Sequence, residues 1–176
     1  MNPFNLEPNT RALWHGGNMD SDLIKFAKGR WEYGPGLYLT TSYSQASTYA
    51  KGSRSMWLVT VTKGTDIFQV SLSKEVCHEF IKSYCKKSAH SKLLTKTENG
   101  MNALIFMNYM TYDDNMMNKY ANSLRQFLVD SGVDYYKERI GGHNCLVVFN
   151  PKIIKHKIKA INITIPASEY DRTIDI

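Results

Sequence analysis

The sequence predicts an α+β fold. Three observations carry that reading: short strand-like runs gather at both ends of the chain, helical periodicity fills its middle, and no Gly-rich Rossmann or phosphate-loop fingerprint is present. With 176 residues and no repeat, low-complexity tract or linker, the chain reads as one domain over 1–176, long enough to bury a core.

Ala12-Leu13-Trp14 reads as a buried strand stopped by Gly16-Gly17. Residues 20–28 set Leu23, Ile24, Phe26 and Ala27 on a short helix, with Asp20 or Ser21 as its N-cap. Gly34-Pro35-Gly36 is a loop, and Leu37-Tyr38-Leu39 a brief strand after it. A helix over 42–50 follows, with Ala46, Tyr49 and Ala50 spaced to share one face. Alternation over 55–61 points Trp57, Val59 and Val61 one way along a strand.

Two longer helical segments come next. Residues 74–87 place Val76, Cys77, Phe80, Ile81 and Tyr84 at helical spacing, and 115–130 do the same with Met117, Tyr120, Leu124, Phe127 and Leu128, stopped by Gly132. The chain closes on an apolar strand at 145–149, broken by Asn150-Pro151, and on the alternation Ile158, Ala160/Ile161, Ile163 and Ile165.

Lys plus Arg is 22 against 16 acids, a net charge of +6 and a pI near 9.1. Such a balance predisposes a domain to polyanions, because phosphate contacts release counterions, and it serves plain solubility equally well. No apolar run approaches the roughly 18 residues of a membrane span, and the longest, 101–110, is interrupted by Asn102 and Asn108. The start carries no signal-peptide pattern, and Cys77, Cys85 and Cys145 make an odd count without metal-ligand spacing. The expectation is a cytoplasmic chain with free thiols and no membrane contact. His78, His90, His143 and His156 form no ligand cluster, so no metal is expected.

Two segments carry the chemistry. Arg11-Ala12-Leu13-Trp14-His15-Gly16-Gly17 puts an imidazole and an unshielded backbone at the end of an apolar strand. Gly34-Pro35-Gly36-Leu37-Tyr38-Leu39 sets Tyr38 after a tight loop, and Tyr49 lies about three turns along the helix that follows. Two tyrosines there could sandwich a flat heteroaromatic ring; equally, His15 could cap a strand and both tyrosines could be core.

Together, in this order and spacing, the segments resemble the ADP-ribosyltransferase superfamily, in the diphtheria-toxin-like branch that includes the poly(ADP-ribose) polymerases. Trp14-His15-Gly16, Gly34-Pro35-Gly36-Leu37-Tyr38-Leu39 and Tyr49 match its motifs over about a quarter of the chain. Thr40 after Leu39, with Gln45-Ala46 downstream, is closer to small bacterial and phage members. The resemblance implies a split pair of small β-sheets with flanking helices, and NAD⁺ as co-substrate. It also implies roles. Trp14 and His15 belong to the NAD⁺ site, with His15 on the adenosine ribose; the Gly16 backbone takes the nicotinamide carboxamide; Tyr38 and Tyr49 stack on the nicotinamide, ligand-facing and not core. Lys28 and Arg30, in the donor loop, would meet the pyrophosphate or remain solvated charges. A serine of the polymerases corresponds to Ala46; Ser44 and Ser47 are the nearest serines, but helical geometry places neither on the same side.

The family's third element is a glutamate or glutamine opening a late strand. Leu146-Val147-Val148-Phe149-Asn150-Pro151 fits the second half of that pattern, but the acid position is Cys145, after Asn144. The nearest carboxylate, Glu138, falls in the segment 135–142, expected as a loop entering this strand. It is a catalytic base or a surface charge paired with Lys137 or Arg139.

The implied activity is NAD⁺-dependent mono-ADP-ribosyl transfer, as a toxin or phage–host effector with a possible protein antitoxin. RNA is the favoured acceptor, on the strength of the charge, of Lys82, Lys86, Lys87, Lys92 and Lys96, and of Tyr135, Tyr136 and Arg139 as an acceptor-side surface. A protein acceptor, an NAD⁺ glycohydrolase and a non-catalytic NAD- or nucleic-acid-binding module are the alternatives.

Overall fold

The computed structural model describes residues 9–19, 33–50, 55–112 and 120–160. The expected helix over 20–28, Met117 and the last isoleucines, Ile161, Ile163 and Ile165, lie outside the described residues.

Thr10–Gly16 (β1), Leu37–Thr40 (β2) and Met56–Thr62 (β3) are apolar runs that bury both faces, as strands at the centre of a covered sheet must. They are joined by Tyr135–Ile140 (β6), His143–Val148 (β7) and Ile154–Lys159 (β8) in the order β6-β7-β2-β1-β3-β8, with every neighbouring pair antiparallel. Ser71–Leu72 (β4) and Met101–Asn102 (β5) make a separate two-stranded ribbon. The α-helices among the described residues are Tyr43–Tyr49 (α1), Lys74–Tyr84 (α2), Lys87–Lys96 (α3), Ala103–Tyr112 (α4) and Ala121–Asp130 (α5). The fold is therefore mixed, with a helical middle between strand-rich ends.

The sheet separates two bodies of core. Phe80, Ile81, Phe106, Met107, Leu124 and Leu128 from α2, α4 and α5 pack with Val147. Leu13, Leu39, Trp57, Val59, Leu146 and Val148 pack on the opposite side. Residues 146, 147 and 148 thus alternate between the two, as a pleated strand requires. Trp57, Val59 and Val61 do point one way, while Met56 and Leu58 join Trp14 and Ala46 under α1.

One seam in the sheet is weak. β1 pairs with β3 along its whole length, from Thr10↔Thr62 to Gly16↔Met56. Against β2 it forms the single rung Trp14↔Thr40. Instead of two separate small sheets, the six strands share one order, held at its middle by that rung.

Two local expectations change, over 74–87 and over 135–142. The helix over 74–87 is broken, because Cys85 and Lys86 are extended; the turn lets Leu93 of α3 reach the core of Cys77, Phe80 and Ile81, and His90 Nε2 donates to the Cys85 carbonyl at 3.0 Å. The apolar run at 101–110 supplies β5 and then α4, which buries Phe106, Met107 and Met110. The segment 135–142 is no loop. It forms β6 and a tight turn whose Gly141 and Gly142 have φ of +58° and +86°, the left-handed pair that two-residue hairpins favour. No helix among the described residues is long and apolar enough to cross a membrane.

Candidate active site at the sheet seam

His15 stands at the end of β1, where the strand parts from β2. Its Nδ1 lies 2.9 Å from the Tyr38 carbonyl oxygen, so the side chain spans the gap that backbone pairing leaves. A carbonyl only accepts, so Nδ1 carries the proton and Nε2 keeps a lone pair. Burial lowers the imidazole pKa, and the Tyr38 carbonyl opposes that only in part, which keeps the ring neutral. A neutral ring with a free Nε2 is a hydrogen-bond acceptor fit for a hydroxyl.

Gly16 is demanded by the helix above it. A Cβ there would come within 1.8 Å of the Ala46 carbonyl oxygen and 3.0 Å of the Ala50 nitrogen, so α1 lies directly on the strand. Ala46 and Ala50 are correspondingly buried. Tyr49, expected on their face, turns the other way and is 68% exposed. Ser42 caps α1 by accepting the Gln45 N–H, while Ser47 Oγ donates to the Ser44 carbonyl of its own helix at 2.7 Å.

Tyr38 is half-buried against the helical core, and its hydroxyl is occupied. It donates to the Gly34 carbonyl at 2.9 Å and accepts the Tyr33 N–H at 3.1 Å, closing the Gly-Pro-Gly loop onto β2. Trp14, expected in the cofactor site, is a core residue: it is buried and edge-on to Tyr43, with centroids 5.0 Å apart. Lys28 and Arg30 lie outside the described residues.

The carboxylate nearest the position where the resemblance expects an acid lies beside it across the hairpin. Glu138 on β6 and Cys145 on β7 are register partners, and Cys145 is in turn opposite Thr40, which is opposite Trp14. Directly opposed residues share a face, so the Glu138 carboxylate, the buried Cys145 thiol and Thr40 form one row. The Tyr136 hydroxyl donates to Glu138 Oε2, and the Arg139 backbone N–H donates to Oε1 at 2.7 Å. Burial, helped by Glu138, pushes the Tyr136 phenol well up, so it remains a donor. Beside this row lies an open cavity of about 300 Å³ lined by Lys137, Glu138, Arg139, Asn144 and Cys145.

The acceptor-side tyrosines do not fit their expected part. Tyr135 is 2% and Tyr136 6% exposed, each in a different body of core. A buried ring offers no face to a base, so of that trio only the exposed Arg139 remains at the surface.

Gln45, to which the resemblance assigns no role, joins three strands to α1. Its Oε1 accepts from Thr40 Oγ1 at 2.6 Å and from Cys145 Sγ at 3.4 Å, and its Nε2 donates to the Ile140 carbonyl at 2.9 Å. One side chain thereby ties α1 to β2 and to both strands of the hairpin. The three cysteines are free thiols, and no His, Cys, Asp or Glu grouping among the described residues could hold a metal ion. Set against protein families, curated proteins and solved structures, the chain matches none of them.

Proposed function

We propose that the chain is an NAD⁺-dependent mono-ADP-ribosyltransferase with a core of that superfamily's kind, its one sheet parted at the β1–β2 seam, a toxin or phage–host effector that modifies RNA. The observation that carries the reading is the parting of β1 from β2 at His15 and Tyr38, with the Glu138 row on the face that Tyr38 also occupies.

In this reading His15 Nε2 accepts a ribose hydroxyl, and the Tyr38 and Tyr49 rings stack on the nicotinamide beside the Gly16 backbone. Breaking the glycosidic C–N bond sends its electron pair to nicotinamide and builds positive charge on the anomeric carbon. Glu138 stabilises that charge and takes the proton of the acceptor hydroxyl or amine as its new bond to that carbon forms. Tyr136 and the Arg139 N–H hold the carboxylate for the task. A protein antitoxin is the partner such a toxin would need.

The test uses labelled NAD⁺, purified RNA and the full chain. Label should enter RNA with release of nicotinamide, and labelling should fall as salt rises from about 50 to 200 mM. Label confined to a protein band of a lysate would move the acceptor to protein. Free ADP-ribose alone would make the chain a glycohydrolase. An absence of nicotinamide release would overturn the reaction.

A further inference from the structure

Burial of Tyr135 and Tyr136 leaves an RNA acceptor without the ring it was expected to stack on. Another aromatic on the same side of the sheet is placed to supply it. Phe68 is the middle residue of the 3-10 turn Ile67–Gln69 and is 57% exposed, while its neighbour Ile67 is fully buried and anchors the turn. Both backbone groups of Phe68 are clamped: Asp66 Oδ1 accepts its N–H at 3.1 Å, and Asn102 Nδ2 donates to its carbonyl at 3.0 Å. The ring stands edge-on to Tyr136, with centroids 5.7 Å apart and planes at 65°. Tyr136 in turn holds Glu138 through its hydroxyl. The result is a large apolar ring in water, fixed at its base and one residue removed from the candidate catalytic carboxylate.

The rung Tyr136–Val147–Tyr38 sets the scale. Two strand spacings, roughly 10 Å, separate the Tyr136 end from Tyr38, and Phe68 lies beyond Tyr136. A base held there would present the rest of its strand to the row that bears Glu138. Leaving a phenyl ring exposed forgoes its burial energy, and a preordered ring loses little further entropy when it meets a flat partner.

We propose that Phe68 is the stacking platform for an unpaired base of single-stranded RNA, beside the Glu138 carboxylate. The proposal rests on the RNA-acceptor reading above. Lys137 and Arg139 lie on the adjoining strand, but the Asp66 and Glu138 carboxylates offset them locally, so stacking supplies the larger part of the grip at this point. Salt sensitivity then comes from cations elsewhere on the basic chain.

The experiment measures anisotropy of a short fluorescent oligoadenylate, alone and as a duplex with oligouridylate, binding to the full chain without NAD⁺. Wild type should prefer the single strand. Phe68→Ala should weaken single-strand binding about 5- to 100-fold, the usual worth of one stacked base, with duplex binding little changed. Phe68→Trp should restore it. Equal single-strand affinity in Phe68→Ala, an equal loss on strand and duplex, or no binding of the strand by wild type would each overturn the proposal. Because NAD⁺ is omitted, these outcomes are independent of whether nicotinamide is ever released.

Discussion

Glu138 on β6 and Cys145 on β7 face each other across the hairpin as a register pair, with their side chains on one side of the sheet. The position where the resemblance expects an acid holds a thiol, and a carboxylate stands one strand further out. The Cys145 thiol is already used, donating to Gln45 Oε1. The chemistry is therefore expected on Glu138.

Glu138→Gln should lower nicotinamide release and transfer by two or more orders of magnitude while NAD⁺ affinity stays near wild type, because the loss is felt in the transition state. The amide oxygen can keep the Arg139 N–H, and the amide NH2 can donate to the Tyr136 hydroxyl in place of the bond that hydroxyl now donates, so the hairpin should hold. Cys145→Ser should cost less than about 1 kcal/mol, since a serine hydroxyl can make the same bond to Gln45. Steady-state kinetics beside a thermal melt decides the matter; the opposite ranking would move the chemistry to β7.

Tyr38 answers to both the ligand and the core. Tyr38→Phe keeps the ring and loses the hydroxyl bridge between the Tyr33 N–H and the Gly34 carbonyl, at about 1 kcal/mol. Tyr38→Ala should abolish nicotinamide release and also cost about 2–4 kcal/mol, more than a purely ligand-facing ring would, because the ring packs against the helical core. Chemical denaturation of the two variants separates the contributions: equal losses would assign Tyr38 to the loop alone.

Much of this was legible in the residues. The alternation of Trp57, Val59 and Val61, the glycine stop after Trp14-His15, and the Asn150-Pro151 break are local signals with local causes; the first runs along β3, and the other two mark the ends of β1 and β7. β6 was not legible. Lys137-Glu138-Arg139 lies on the edge strand of the sheet, and charged triplets read as loop. Tyr135 and Tyr136 were misplaced for the same reason, since a loop leaves tyrosines exposed and a strand with two covered faces buries both. Gln45 and Phe68 depend on contacts with residues far along the chain, Cys145 and Tyr136, which no periodicity records.

Asp134 governs stability away from the site. Its Oδ2 accepts the Thr65 N–H at 2.7 Å, its Oδ1 accepts from Asn150 Nδ2 at 2.7 Å, and its carbonyl takes the N–H groups of Phe149 and Asn150. This one residue ties the start of β6 to the end of β7 and to the chain after β3. Asp134→Ala should cost about 2–3 kcal/mol by urea melting, in the range of lost charge-assisted hydrogen bonds, and Asp134→Asn about half of that. A loss below about 0.5 kcal/mol for the alanine would show that the backbone bonds suffice.

The pH dependence of His15 has a definite sign. Burial lowers its folded pKa below the ordinary 6.5, so the neutral form is the one the fold favours. Its contribution to stability is complete above the unfolded value and is lost as pH falls through the lower folded value. Affinity for NAD⁺ should fall only as pH drops through and below the folded value, because a protonated Nε2 can no longer accept a ribose hydroxyl. The comparison is with His15→Gln, which has no ionisable ring at this position. Between about pH 7.5 and 5, wild type should lose more stability than the variant, and only wild type should show a proton-linked decline in NAD⁺ binding. Melts and calorimetric titrations at matched ionic strength measure both, and parallel losses in the two proteins would remove His15 from the seam's chemistry.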